Sequence, residues 1–184
     1  MAKIIHLLEA IKVPENVSVE LSEMEVKVKG PKGEVKRDFS HARGVLISLK
    51  EGEILVEAYR ADRKLKALVG TIAAHIRNMI TGVTKGFRCK MKIVYSHFPM
   101  SVAVDNENRV IRIKNFLGEK ADRIARIYGN VKVYVEGSDI VIEGADIEEV
   151  GLTASSIERA TKIRDLDRRI FGDGIYIYER GVAE

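Results

Sequence analysis

The sequence predicts an α+β protein of two tandem repeats, each an antiparallel sheet packed against one main helix. Three observations predict it. Two stretches carry apolar residues at three- and four-residue spacing, the pattern of a helix with one buried face. Between them, short runs alternate apolar and polar residues with period two and are separated by Gly or charged residues, the pattern of half-buried strands joined by tight turns. The chain also repeats itself. Val26-Lys27-Val28-Lys29-Gly30-Pro31-Lys32-Gly33-Glu34 is echoed 85 residues later by Ile111-Arg112-Ile113-Lys114-Asn115-Phe116-Leu117-Gly118-Glu119, and Glu51-Gly52 recurs at the same separation as Glu136-Gly137. Val69-Gly70 and Ile76 recur 81 residues later as Val150-Gly151 and Ile157. Matches in one order at nearly one offset indicate a copied unit, placed here at residues 1–82 and 83–184.

In the first copy, Val17, Val19 and Leu21, then Val26 and Val28, alternate with polar neighbours, so two strands are expected with Ser22-Glu23 as the turn. Gly30-Pro31-Lys32-Gly33 supplies the next turn, and strands follow near residues 35–39, 45–49 and 54–58. A helix is expected over residues 63–81, where Leu65, Leu68, Val69, Ile72, Ala73, Ile76, Met79 and Ile80 share a face. Asp62 is its N-cap and Gly82 its stop. Beyond Gly86 the period returns to two, with Phe87, Cys89, Met91 and Ile93 on one side and Arg88, Lys90 and Lys92 on the other. In the second copy, strands are expected at 102–104, 110–114, 131–136 and 140–144, with Gly137-Ser138-Asp139 as a hairpin, and a helix over 147–163. Residues 120–128 are compatible with a helix by composition, but their counterpart after Gly33 is a strand, and strand is expected here too. Each copy then closes on a strand, with Gly86-Phe87 aligned to Gly174-Ile175.

A chain of 184 residues with 46% hydrophobic content builds a packed core. Cys89 is the one cysteine, which excludes an intrachain disulfide and leaves no thiolate pair for structural zinc. The histidines His6, His41, His75 and His97 share no ligand spacing, so no metal is expected. There is no phosphate-cradling Gly-x-x-x-x-Gly-Lys-Ser/Thr loop, Gly172-Asp173-Gly174 lacks the spacing of a dinucleotide fingerprint, and no nucleophile stands at a readable distance from a base. No catalytic residue, enzyme activity or cofactor is therefore expected. Gly30-Pro31-Lys32-Gly33 matches the Gly-x-x-Gly loop of RNA-binding KH domains in letters, but strand patterns lie on both sides where that loop joins helices. No apolar run reaches the length of a membrane span and the start lacks the features of a signal peptide, so a cytoplasmic protein is expected.

The net charge of +4 is mild, but its distribution is uneven. Between residues 60 and 92, Arg60, Arg63, Lys64, Lys66, Arg77, Lys85, Arg88, Lys90 and Lys92 face only Asp62. Cations gather beside glycine turns at the two places where a helix hands over to a strand: Lys85, Arg88, Lys90 and Lys92 at the first, Arg164, Arg168 and Arg169 before Gly172 and Gly174 at the second. Lysines, arginines and turn amides on a rigid frame suit phosphate contact and recognition of folded RNA by shape. These nine residues are the candidate RNA-binding set. Tyr176 and Tyr178 are placed in the core rather than in the site. A different reading is a protein-interaction scaffold whose basic strand binds an acidic partner.

Four strings carry a resemblance: Lys29-Gly30-Pro31-Lys32-Gly33-Glu34, Tyr95-Ser96-His97-Phe98-Pro99, Asn115-Phe116-Leu117-Gly118-Glu119-Lys120 and Phe171-Gly172-Asp173-Gly174-Ile175-Tyr176. Through them, essentially the whole chain resembles the universal L six family of large-subunit ribosomal proteins, in its archaeal form. The resemblance implies two tandem sheet-plus-helix units, no enzymatic activity, and a place in the ribosome among neighbouring ribosomal proteins. It implies binding to large-subunit rRNA near the sarcin-ricin loop, with elongation factors docking nearby and with residues 83–184 as the main rRNA-binding unit. Asp173 stands where bacterial members carry a lysine, which moves the expected phosphate contacts to Arg164, Arg168 and Arg169.

Overall fold

In the computed structural model, which describes residues 4–50, 52–164, 166–167 and 169–183, the chain divides into two compact units, Met1–Lys85 and Gly86–Glu184. The first contains β1 (Ile4–Lys12), β2 (Ser18–Ser22), β3 (Glu25–Gly30), β4 (Gly33–Asp38), β5 (Leu46–Lys50), β6 (Glu53–Ala61) and α1 (Arg63–Thr84). All pairings are antiparallel, in two sheets ordered β2-β3-β4 and β1-β6-β5. Alternation decides which face is buried: Val26 and Val28 of β3, and Ile54, Val56 and Ala58 of β6, turn inward, each at most 1% exposed. They meet the apolar face of α1, where Val69, Ile72, Ala73 and Ile76 are buried to the same degree. Burying such side chains stabilises the fold by roughly 1.5–3 kcal/mol each, which far outweighs the modest helix propensity of their β-branched types.

Asp62 caps α1 as expected, its carboxylate accepting from the Leu65 N–H at 2.8 Å. Gly82 does not stop the helix, which continues to Thr84. Gly82 is buried inside the last turn, the chain leaves through Lys85, and Gly86 takes the left-handed conformation at φ 82°. The Gly30-Pro31-Lys32-Gly33 turn docks against that helix end. The Lys32 N–H donates to the Val83 carbonyl at 2.9 Å, and a Cβ on Gly30 would come within 2.7 Å of the same oxygen. The turn is thus a cap for α1, with its backbone committed inside the protein.

The second unit contains β7 (Phe87–Val94), β8 (Ser101–Asp105), β9 (Val110–Lys114), a short 3₁₀ segment Phe116–Gly118, β10 (Arg123–Arg126), β11 (Lys132–Glu136), β12 (Asp139–Gly144), α2 (Ile147–Ala160) and β13 (Gly174–Val182). Its sheets run β8-β9-β10 and β11-β12-β7-β13, again antiparallel. The core gathers Phe87, Cys89 and Met91 of β7, Ile111 and Ile113 of β9, Phe116, Ile140 and Ile142 of β12, Ile175 of β13, and Val150, Ala154 and Ile157 of α2.

The repeat is real, but one correspondence within it differs from the expectation. β7 pairs with β12 as β1 pairs with β6, so β7 is the counterpart of β1 and not of the strand that closes the second unit. Gly86-Phe87 and Gly174-Ile175 are not equivalent positions; β7 and β13 lie side by side, with Val182 opposite Phe87 and Gly174 opposite Val94. Period two reveals a strand and its inward face, but not the sheet that it joins. β1 gives no strand signal in the sequence because Ile4-Ile5-His6-Leu7-Leu8 does not alternate. The second helix ends at Ala160, short of residue 163; the Thr161 N–H donates to the Ile157 carbonyl at 3.3 Å as the last bond of the helix, and the Thr161 hydroxyl receives the Ile175 N–H at 3.1 Å.

Candidate nucleic-acid interface

The basic face of β7 is built as its alternation predicts, but it is electrostatically occupied. Arg88 Nε donates to Glu143 Oε1 at 2.7 Å, Lys92 lies 2.7 Å from Asp139 Oδ1, and Lys90 lies 3.0 Å from Glu179 Oε2. The acids come from β12 and β13, the two strands that flank β7, in direct cross-strand register. The hydrogen bond to Glu179 raises the Lys90 pKa, and that to Asp139 raises the Lys92 pKa. Lys85 stands apart as the exposed residue that ends α1 in the first unit.

The second handover, residues 161–173, is held from both ends. At its start, Arg123 of β10 donates to the Ala160 carbonyl at 2.8 Å and the Lys162 carbonyl at 3.2 Å. The same guanidinium is clamped by both Glu119 oxygens, at 2.8 and 2.6 Å, and lies 4.3 Å above the Phe116 ring. At its end, Asp173 is 1% exposed, and its carboxylate accepts from the Ser96 hydroxyl at 3.0 Å and the His97 N–H at 3.2 Å. The His97 ring places Nδ1 3.1 Å from the oxygen that Ser96 also reaches, and is tilted against Phe171 with centroids 4.5 Å apart. Burial pushes the Asp173 carboxyl up, but the bonds from His97 and Ser96 outweigh it and hold the group below the usual carboxylate value.

Within that frame the predicted cations take different roles. Arg164 is exposed and, with exposed Arg159 and Lys162, rims open hollows around the end of α2 that also contain Ile124 and Tyr128. Arg159, Lys162 and Arg164 have no carboxylate partner among the described residues. Arg169 is tied back to Asp167 by contacts of 2.7 to 3.1 Å. Arg168 lies outside the described residues. Neither Gly172 nor Gly174 has a left-handed φ. A Cβ on Gly174 would meet the end of the Tyr176 side chain at 2.9 Å, which would have to shift, whereas no described residue lies within 4 Å of a Cβ built on exposed Gly172. The tyrosines are not core: Tyr178 is exposed and donates to Asp139 Oδ2 at 3.1 Å, and half-buried Tyr176 donates to the Gly172 carbonyl at 3.1 Å.

Residues 13–86 and 98–174 match the family model described as Ribosomal protein L6, one segment for each unit. The chain belongs to the ribosomal protein L6 family. It is 66% identical to the large ribosomal subunit protein uL6 of Desulfurococcus amylolyticus over the full length of both chains. It is 60% identical to that of Staphylothermus marinus, again over all of each chain, and 59% identical to that of Aeropyrum pernix over 99% of each. This member of the family carries features that the nine-residue candidate set does not contain: Arg159, Lys162, and the Asp173 and Arg123 anchors. Arg159 and Lys162 flank Arg164 and are visible in the sequence as charge near the end of a helix. The anchors are not, because Asp173 meets residues 76 and 77 positions away and Arg123 meets residues 37 and 39 away.

Proposed function

We propose that this chain is a structural component of the large ribosomal subunit that binds large-subunit rRNA, without catalytic activity, among neighbouring ribosomal proteins of the cytoplasmic ribosome. Its contact surface is the end of α2 and the loop after it, near the sarcin-ricin loop and the site of elongation-factor docking. The observation that carries this reading, beside family membership, is the set of exposed cations Arg159, Lys162 and Arg164 mounted on backbone that Arg123 and Asp173 hold in place. Net charge does not supply the affinity. Residues 86–184 hold 16 basic and 16 acidic side chains, while residues 1–85 hold 15 and 11. A local cluster of cations with no carboxylate partner among the described residues is what phosphates can use. The paired face of β7 is the weaker surface, for RNA and for an acidic protein partner alike, because each cation there already has a carboxylate.

Gly172 supports the same surface. Neither its φ nor any described neighbour demands glycine, which suits a backbone approached closely by something outside the chain. The test is binding of the full chain to a large-subunit rRNA fragment across a salt series. Arg159→Ala with Arg164→Ala should weaken binding and reduce the log-log salt slope by up to about 0.9 for each phosphate that is no longer neutralised. Gly172→Ala should weaken binding with unchanged folding stability. Unchanged affinity and slope for the arginine pair would overturn the assignment. Chemical footprinting of the bound rRNA decides whether the sarcin-ricin loop lies beside the protected region.

A further inference from the structure

The two units differ at one sheet edge. β1 pairs with β6 and, among the described residues, with no other strand, whereas β7 pairs with β12 on one side and β13 on the other. The registers show which residues correspond. Leu7 stands opposite Ala58 as Phe87 stands opposite Gly144, and Ile11 opposite Ile54 as Met91 opposite Ile140. Leu7, Glu9 and Ile11 therefore occupy the places of Phe87, Cys89 and Met91. No described strand fills beside β1 the position that β13 fills beside β7, along a nine-residue strand without proline.

An edge of that length is a ready template for another strand unless it is blunted by proline, a bulge or charge. β1 keeps apolar side chains exposed along it, with Ile5 84% and Leu8 49% accessible. Its one acid is Glu9, whose Oε2 accepts from Arg77 of α1 at 2.6 Å. The second unit shows what kind of strand such an edge takes. β13 sets Ile177 beside Met91, Arg180 beside Cys89 and Val182 beside Phe87. Transposed onto β1, that pattern puts apolar side chains beside Ile11 and Leu7 and a cation beside the Glu9 carboxylate, which would then be shared between that cation and Arg77.

We infer that β1 is a docking edge for an extended segment of another protein, added antiparallel to β1 as β13 is to β7, with Lys or Arg beside Glu9 and apolar side chains beside Leu7 and Ile11. Backbone hydrogen bonds supply the affinity, and the alternating side chains supply the choice of partner. The inference rests on the proposed place of the chain in a large subunit.

The test places a photo-activatable side chain at Ile5 or at Lys12 of the full chain in intact large subunits and identifies the crosslinked residues. Sedimentation of the chain with the subunits tests the proposed function first and separately. The docked strand requires that both positions reach one protein segment, at residues about seven apart and in reverse order, since paired antiparallel strands run residue against residue. Crosslinks to rRNA, to a second copy of the chain, to two unconnected proteins or to one segment in the same order would each overturn it, as would the absence of any protein crosslink.

Discussion

Asp173 and His97 are joined twice: the carboxylate accepts the His97 backbone N–H at 3.2 Å and lies 3.1 Å from the ring Nδ1. This contact fastens the end of the loop carrying Arg164 and Arg169 to the segment that follows β7. Asp173→Asn keeps the shape but turns one acceptor into a donor facing other donors. We expect a loss of about 1–3 kcal/mol in urea unfolding, and faster hydrogen exchange in the loop and at the start of β13.

The same group makes a pH prediction. Its folded-state pKa lies below the ordinary value, so its contribution to stability is complete above the unfolded-state carboxyl pKa of about 4 and is lost as pH falls through the depressed folded value. The stability gap between the natural chain and Asp173→Asn should close as pH falls through the carboxyl range. A gap that persists in full below that range would contradict the carboxylate's role as acceptor.

Gly30→Ala and Gly70→Ala should act in opposite directions. The first puts a methyl group 2.7 Å from the backbone oxygen of Val83, which the helix end cannot yield without losing its bond from Lys32, and should cost about 1–3 kcal/mol. The second fills open space in the middle of α1 and should stabilise by about 0.5–1 kcal/mol through helix propensity. Thermal unfolding of the two variants checks both signs.

Arg123→Lys tests whether a planar guanidinium is needed. Lysine cannot grip both Glu119 oxygens while also reaching the carbonyls of Ala160 and Lys162. A destabilisation of about 1–2 kcal/mol is expected, with faster amide exchange confined to the last turn of α2 and residues 161–163. Equal stability of the lysine variant would show that charge alone suffices.

Much of the fold is legible in the chain itself. β9 matches the predicted 110–114 run residue for residue, α1 starts after its Asp62 cap, and Gly52 and Gly137 of the repeated Glu-Gly pairs both fall between paired strands, with φ of 80° and 61°. These are local facts, set by side-chain period, by a carboxylate within reach of free N–H groups, and by the freedom of glycine to turn left-handed. The candidate site is legible in part. Arg164 takes its place beside two further exposed cations, but the face of β7 is not the open basic surface its alternation suggests, because the acids that pair with Arg88, Lys90 and Lys92 lie 47 to 89 residues away in the chain.

The sequence by itself determined the α+β class, the copied unit, the inward face of each recognised strand and the presence of cations where helices end, because each depends on residues within a few positions of one another or on direct comparison of the two copies. Tertiary structure alone decided that β7 pairs with β12 as β1 pairs with β6, that β13 lies against β7 while β1 keeps an edge beside which no described strand lies, and that Asp173 anchors a loop. Those outcomes depend on which distant strands and side chains meet, and a period of two or a lone acid between glycines is compatible with several such partners until packing and hydrogen-bond satisfaction select one.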